Sequence, residues 1–206
     1  MTQNRLLETA MDHFGRLGFE GASTRDIARD SGTAMSSITY HFGGKEGLYL
    51  AAADHIAAQI RERAGPLIDR IDAAEIPDRK TATELLLMVL DGFAMLMMSP
   101  ETERWARFVI REQQAPTAAF DRLYDGAMRR VADAMVRLVT IARPDLDDRR
   151  VRATGVMLFG QSMILRAGRA SVCRVLGLKE LDDQARALLR ERLRANALCI
   201  LSETPR

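Results

Sequence analysis

Proline and glycine are distributed unevenly along this chain of 206 residues. Seven of the 14 glycines lie within residues 1–47, whereas all six prolines lie at position 66 or later. Because glycine permits tight turns and proline ends or kinks a helix, we expect short helices first and longer helices ending at prolines afterwards. No segment shows sustained two-residue alternation of β-branched side chains, and helical spacing recurs instead. The sequence predicts an all-α protein of about nine to ten helices.

Apolar residues three and four positions apart define the expected helices. The first carries Leu6 and Phe14 and stops at Gly18, and the second is capped by Thr24 and ends at Gly32. Further helices are expected at about 35–41, from Lys45 to Arg63 with an end at Gly65-Pro66, and near 66–74, 82–98, 101–114, 117–142, 147–176 and 179–202.

Composition narrows the class of protein. Hydrophobic residues make up 47% of the chain and charged residues 28%, and a chain of this length can bury a core without cross-links. Intrinsic disorder, collagen-like repeats and a disulfide scaffold are therefore excluded. Cys173 and Cys199 suit a reducing compartment, and we find neither a signal peptide nor a run of 18 apolar residues. We expect a soluble, cytoplasmic protein.

Residues 24–42, TRDIARDSGTAMSSITYHF, have the layout of a helix-turn-helix: a short capped helix, a glycine turn and a second short helix. In such motifs the first helix braces against the DNA backbone and the second enters the major groove. The candidate DNA contacts are Thr24, Arg25, Met35, Ser36, Ser37, Thr39, Tyr40, His41 and Lys45. The spacing alone fits a purely structural helical hairpin equally well.

The charge distribution limits what kind of DNA binding is expected. The chain has a net charge of +2, but residues 1–50 hold five basic and six acidic side chains, so no basic stripe covers the motif. A non-specific nucleic-acid binder should be more positive. Any DNA contact should therefore be a small, site-specific set.

Residues 3–52 resemble the N-terminal DNA-binding domain of the TetR family of bacterial transcription regulators. The matching residues are Phe14, Gly18-Phe19, Thr24, Asp26-Ile27-Ala28, Gly32, Tyr40-His41-Phe42, Lys45-Glu46 and Leu48-Tyr49. The segments ITYHFGGKEGLYLAAADHI, REQQAPTAAFDRLY and FGQSMILRAGRASVCRVLG resemble the CecR-like subgroup of that family.

This resemblance implies a division of labour along the chain. Residues 1–47 would form the DNA-binding domain, and residues 48–206 would form a helical domain for ligand binding and dimerisation. The homodimer would use helices 147–176 and 179–202 and would read a palindromic operator. Members of the family usually repress and are released by a small molecule. An activator, or a ligand-independent DNA-binding protein of the same fold, is the alternative.

Ala34 occupies the position where many members of the family have a serine that caps the reading helix. The helix must therefore be capped by Thr33 or lack a side-chain cap. Many members also have glycine at the position of Ser36 and a phosphate-binding tyrosine at the position of Thr39, so the individual DNA contacts should differ.

Methionine and aromatic residues mark a candidate effector site. Eight of the 11 methionines fall between Met88 and Met163. The candidate ligand contacts are Met88, Phe93, Trp105, Phe108, Arg111, Met128, Met135, Phe159, Met163 and Arg166. Such a set favours a small hydrophobic or amphipathic ligand, although ordinary core packing explains each residue as well.

The last expected helix carries two apolar stripes, which suggests one partner inside the chain and one outside. The stripes are Leu181, Ala185, Leu188 and Arg192, and Leu189, Leu193, Asn196 and Ile200. The rival class is an all-helical enzyme that uses carboxylates such as Asp121 and Asp125. Because no metal-ligand cluster or nucleophile motif is visible in the sequence, we expect no catalytic activity, metal or cofactor.

Overall fold

A computed structural model describes residues 2–202, and within that range the structure is helical, with no strand. The helices are α1 (Thr2–Gly21), α2 (Thr24–Ser31), α3 (Met35–Phe42), α4 (Lys45–Ala73), α5 (Arg79–Met98), α6 (Glu103–Gln114), α7 (Ala118–Leu123), α8 (Arg129–Ala142), α9 (Asp148–Ala167), α10 (Arg169–Val175) and α11 (Asp183–Ser202). A 3-10 turn over Pro100–Thr102 precedes α6, and a π turn over Tyr124–Met128 joins α7 to α8. The predicted all-α class is confirmed.

The described chain forms two compact units. The first unit contains the residues up to Arg63 together with Glu101–Arg129, and the second contains Ala64–Pro100 together with the residues from Arg130 onward. The chain therefore passes from one unit to the other within α4, in the 3-10 turn before α6 and at the start of α8.

In the first unit, α1 packs against α2 and α6, and α2 packs against α3. Leu6, Phe14 and Ile27 are buried at these contacts. Gly15 allows α1 to approach α6, since a Cβ at this position would lie 3.2 Å from the backbone nitrogen of Phe108. As predicted, Gly18 interrupts α1: its φ of +76° is a left-handed conformation that favours glycine.

The second unit is built around α5, which packs against α9 and α11. Its core includes Leu86, Leu90, Met135, Leu138, Leu158 and Leu201. Within the described residues, α5 alone is long and apolar enough to cross a membrane by length and composition. However, eight of its side chains are buried, and Asp91 on α5 forms two bonds of 2.6 and 2.7 Å with Arg190 of α11. These contacts are those of a core helix.

The predicted helix end at Gly65-Pro66 is wrong, because α4 continues through Pro66 to Ala73. Proline removes one backbone hydrogen bond, but the turn beyond it buries Ile68 and Ile71 in the core of the second unit. Arg137 also donates to the carbonyl oxygens of Ile71 at 2.8 Å and Ala74 at 3.0 Å. It therefore supplies hydrogen-bond donors to carbonyl groups at the helix end that lack a partner within the helix. Tertiary packing here outweighs the local signal.

The continuous helix predicted over 117–142 is interrupted by the π turn at Tyr124–Met128. Gly126 in this turn lies so close to α4 that an added Cβ would be 2.9 Å from the Cβ of Ala57. Arg61 of α4 donates to the Gly126 carbonyl oxygen at 2.5 Å. The widened turn thus accommodates a close approach within the first unit.

The helix predicted over 147–176 is divided at Gly168 into α9 and α10. Glycine has the second-lowest helix propensity, and the Gly168 N–H still donates to the Ile164 carbonyl at 2.9 Å as α9 ends. The last helix begins at Asp183 rather than near residue 179, because Asp182 accepts a hydrogen bond from the Ala185 N–H at 2.7 Å.

Candidate nucleic-acid interface

Helix α2 is closed at both ends by local hydrogen bonds. Its cap is Ser23, whose Oγ accepts from the Asp26 N–H at 3.4 Å, so the predicted cap at Thr24 is wrong by one residue. The serine precedes the first helical residue and is extended, as a capping residue requires. Gly32 has a φ of +68° and, as predicted, ends the helix.

Helix α3 begins without a side-chain cap. Ala34 stands at the capping position, and the Thr33 Oγ1 is buried with no hydrogen-bond partner among the described residues. The sequence left two alternatives for α3, a cap from Thr33 or no side-chain cap, and the structure shows the second. Ile38, only 1% exposed, is the buried side chain that anchors α3.

Most of the candidate contacts on α3 are exposed together. Tyr40 is 85% exposed and Met35 is 51% exposed, and Ser36, Thr39 and His41 are also exposed. The rings of Tyr40 and His41 meet edge to face, with centroids 4.9 Å apart. Ser37 is half-buried. The exposed surface of α3 thus offers hydroxyls, two aromatic side chains and a thioether.

The basic side chains in and next to the helix-turn-helix differ in their ion pairs and hydrogen bonds. Arg25 is exposed and makes no ion pair within residues 2–202, whereas Arg29 pairs with Asp26 at 2.7 Å and Asp30 at 3.0 Å. Lys45 donates to the Glu20 carbonyl at 3.1 Å. Both arginines of α2 are exposed, but Arg25 is the one without an ion pair within residues 2–202, and Thr24 beside it is half-buried.

A histidine ties α2 to α1. The Nε2 of buried His13 lies 2.9 Å from the Oδ2 of Asp30. Asp30 also accepts from Arg29, and these hydrogen bonds, first that of Arg29 and then that of His13, hold the pKa of Asp30 below its usual value. Because α1 and α2 belong to the same unit, the His13–Asp30 contact helps to fix the orientation of α2 relative to α1.

A buried polar contact joins α4 to α6, and our sequence analysis missed it. The Tyr49 hydroxyl donates to Glu112 Oε1 at 2.5 Å, and Thr117 donates to Oε2 through its N–H at 3.0 Å and its hydroxyl at 2.9 Å. Glu112 follows Trp105 and Phe108 along the buried stripe of α6. The signal available in the sequence was an acidic residue within the apolar stripe of α6, because a buried carboxylate needs hydrogen-bond partners.

The candidate ligand contacts fall into both units. In the first unit, Trp105 and Phe108 are buried, and Phe108 packs on Tyr49 with ring centroids 4.7 Å apart. The guanidinium of Arg111 lies near the Arg16 carbonyl, with an Nη2···O distance of 3.4 Å. The sulfur of half-buried Met128 is 4.0 Å from the Gln113 amide.

In the second unit, Phe93 and Phe159 stack with ring centroids 4.0 Å apart. Met135 is part of the core, and buried Arg166 donates to the Ser99 carbonyl. The remaining candidates of this unit are exposed Met88 and half-buried Met163.

The exposed helix pair on an all-helical scaffold defines a helix-turn-helix transcription regulator. Residues 6–52 match the model of the tetR family of bacterial regulatory proteins. Residues 82–203 match the C-terminal domain of the HTH-type transcriptional dual regulator CecR. The chain belongs to the TetR family, with a CecR-type C-terminal domain, and such a regulator is not an enzyme.

Individual relatives agree with this assignment. CecR of Shigella flexneri is 30% identical over 92% of this chain and 86% of that protein. The transcriptional repressor AcnR of Corynebacterium glutamicum is 38% identical over 30% of this chain and 32% of that protein. The structure of FadR from Bacillus subtilis with stearoyl-CoA matches with a TM-score of 0.59 and 15% identity, covering 97% of this chain and 95% of that one.

Proposed function

We propose that this regulator is a dimeric repressor that leaves a palindromic operator when a small hydrophobic or amphipathic ligand binds. The observation that carries the proposal is the exposed face of α3, from Met35 to Tyr40, anchored through buried Ile38. A helix presented in this way can enter the major groove. Residues 1–47 form the reading domain in this proposal, and residues 48–206 form the regulatory domain.

An exposed apolar stripe supports dimerisation through helices 147–176 and 179–202. On α9, Val156 is 69% and Met157 65% exposed, and Ile164 is exposed on the same helix. On α11, Leu188 and Leu198 are exposed, whereas Leu189, Leu193 and Ile200 of the second predicted stripe are half-buried. Apolar side chains of this size usually mark an interface when they cluster. A two-fold dimer would place two α3 helices about 34 Å apart, one turn of DNA.

Two observations support a ligand in the regulatory part. The Nε1 of buried Trp105 has no hydrogen-bond partner among the described residues, and a buried donor usually needs one. A carbonyl or carboxylate oxygen of a ligand would provide it. In addition, FadR, which shares the fold, was solved with the amphipathic molecule stearoyl-CoA.

The alternative is an activator, or a DNA-binding protein without an effector. CecR is named a dual regulator, whereas AcnR is named a repressor, so the relatives include both modes of regulation. The position of the operator relative to the promoter distinguishes them. In either case a regulator that binds chromosomal DNA acts in the cytoplasm.

Selection from a random duplex pool with the purified protein tests DNA reading. We expect a palindrome whose half-sites are one helical turn apart, and recovery of no site from a folded dimer would contradict the proposal.

Trp105 is the only tryptophan of the chain, so its fluorescence reports on the effector directly. Compounds that shift both this fluorescence and the melting temperature are then tested for release of the operator. Stabilisation by hydrophilic metabolites alone would contradict the proposed ligand class.

A further inference from the structure

Met35 is a large apolar side chain on the surface that would face DNA. It is the first residue of α3 and is 51% exposed. Ile38, three residues later, is the buried side chain that anchors α3, whereas Met35 stays half exposed, so burying Met35 is not needed to hold α3 in place. Thr39, one helical turn after Met35 on the same face, is exposed as well.

The polar residues of α3 are poor discriminators of bases. Residues 34–42 contain no arginine, lysine, asparagine or glutamine, the side chains that form paired hydrogen bonds with guanine or adenine. Serine and threonine hydroxyls can donate to or accept from several bases, so Ser36, Ser37 and Thr39 distinguish little by themselves. Tyr40 and His41 lie in the last turn of α3, whereas the N-terminal residues of a reading helix contact the base edges.

The neighbouring cations lie outside α3. Arg25 is exposed and makes no ion pair within residues 2–202, but it belongs to α2, the helix that braces against the DNA backbone. Arg29 is held by two aspartates of its own helix. Lys45 is held by the Glu20 carbonyl and lies over the Phe19 ring, 4.8 Å from its centroid. Discrimination between bases by α3 must therefore come from an apolar contact. The major groove offers one apolar group for such a contact, the C5-methyl group of thymine.

We propose that Met35 is a specificity-determining residue that packs against a thymine C5-methyl group, so that each operator half-site carries an A·T pair opposite Met35. The inference rests on the proposed DNA-reading function and adds the chemistry that α3 recognises. Removing one methyl group from an apolar contact changes an equilibrium constant roughly fourfold at 25 °C.

The test is a scan of the selected operator in which each thymidine is replaced by deoxyuridine. This replacement deletes the methyl group and leaves every hydrogen-bonding group in place. For the native protein we expect one position per half-site at which affinity falls about fourfold. For Met35→Ala the same position should be insensitive, while Met35→Leu, which keeps an apolar side chain of similar volume, should stay sensitive.

The outcomes are distinguishable. A flat deoxyuridine scan on a tightly and specifically bound operator overturns this inference and leaves the proposed function intact. An equal loss in the native protein and in Met35→Ala assigns the methyl contact to another residue and also overturns it. Failure to bind any duplex specifically overturns the proposed function itself. Because Met35 is half exposed, its variants should fold, which circular dichroism checks.

Discussion

The Tyr49 hydroxyl and the Glu112 carboxylate, 63 residues apart in the chain, share a hydrogen bond of 2.5 Å in the interior of the first unit. Burial, and then the bond to Glu112, raise the pKa of Tyr49, so the phenol stays protonated and donates. The other carboxylate oxygen accepts from Thr117. The carboxylate therefore connects α4, α6 and the residue before α7.

Replacing Tyr49 with phenylalanine should destabilise the protein. The variant keeps the ring packing on Phe14 and Phe108 but leaves Glu112 Oε1 buried without this donor. The expected loss in the free energy of unfolding is about 1–3 kcal/mol, measured by urea denaturation. Tyr124→Phe, at a partly exposed tyrosine, is the matched control and should be near neutral. Equal stability of Tyr49→Phe and the native protein would contradict the assigned contact.

Gly47→Ala should be strongly destabilising. A Cβ at this position would lie 1.7 Å from the Phe42 carbonyl oxygen, so the start of α4 would have to move away from the end of α3. We expect a loss of about 1–3 kcal/mol or more, seen as a lower melting temperature. Gly92→Ala is the control: it lies inside α5 with no atom within 4 Å of the new Cβ, and should stabilise by about 0.5–1 kcal/mol. Similar effects of both changes would exclude a steric cause.

Tyr40→Ala should weaken operator binding without unfolding the protein. The side chain is 85% exposed, so its loss leaves the packing of α3 intact. If the phenol bonds a DNA phosphate, affinity should fall roughly three- to tenfold, as measured by fluorescence anisotropy at fixed salt. Native binding should weaken as salt rises. Tyr124→Ala, at a tyrosine outside the motif, should bind like the native protein, and the same result for Tyr40→Ala would remove Tyr40 from the interface.

Val156→Glu should convert the dimer into a monomer. A carboxylate within the exposed apolar stripe of α9 would be buried without a partner if that stripe is the interface. Sedimentation velocity at micromolar concentration measures the change. Met95→Glu places the same charge on an exposed methionine of α5 and should leave the dimer intact. A dimer that persists in Val156→Glu would place the interface elsewhere.

Asp145 should contribute a pH-dependent share of the stability. Buried Arg143 donates to it through Nε at 2.9 Å and Nη2 at 2.8 Å, which holds the pKa of Asp145 below its usual value. The carboxylate therefore stabilises the fold fully above its unfolded pKa, near pH 4, and this contribution is lost as the pH falls through the lower folded pKa.

The measurement compares urea unfolding of the native protein and Asp145→Asn from pH 7 to pH 2.5. We expect the native protein to be more stable at pH 7 and the difference to shrink below about pH 4. Asp133→Asn, at an exposed aspartate, is the control and should not change how the free energy of unfolding depends on pH. A difference that does not depend on pH would mean that the Asp145 charge is not responsible.

Local signals located the helix-turn-helix correctly. Gly18 and Gly32 have the positive φ angles that their positions between helical stretches indicated, and Ile38 is buried while Tyr40 is exposed. These features depend on residues within one or two turns of each other, because backbone conformation and helical spacing are local properties. Even the one-residue error at the cap, Ser23 instead of Thr24, lies within the uncertainty of any helix end.

What the sequence by itself determined is therefore the all-α class and the exposed face of α3. Only the tertiary structure decided that α4 passes through Pro66, that Phe108 packs on Tyr49, and that Glu112 is a buried acceptor. In each case the deciding partner is far along the chain. The free energy gained by burying Ile68 and Ile71, or by pairing Glu112 with Tyr49, depends on packing between distant elements, which helical periodicity does not encode.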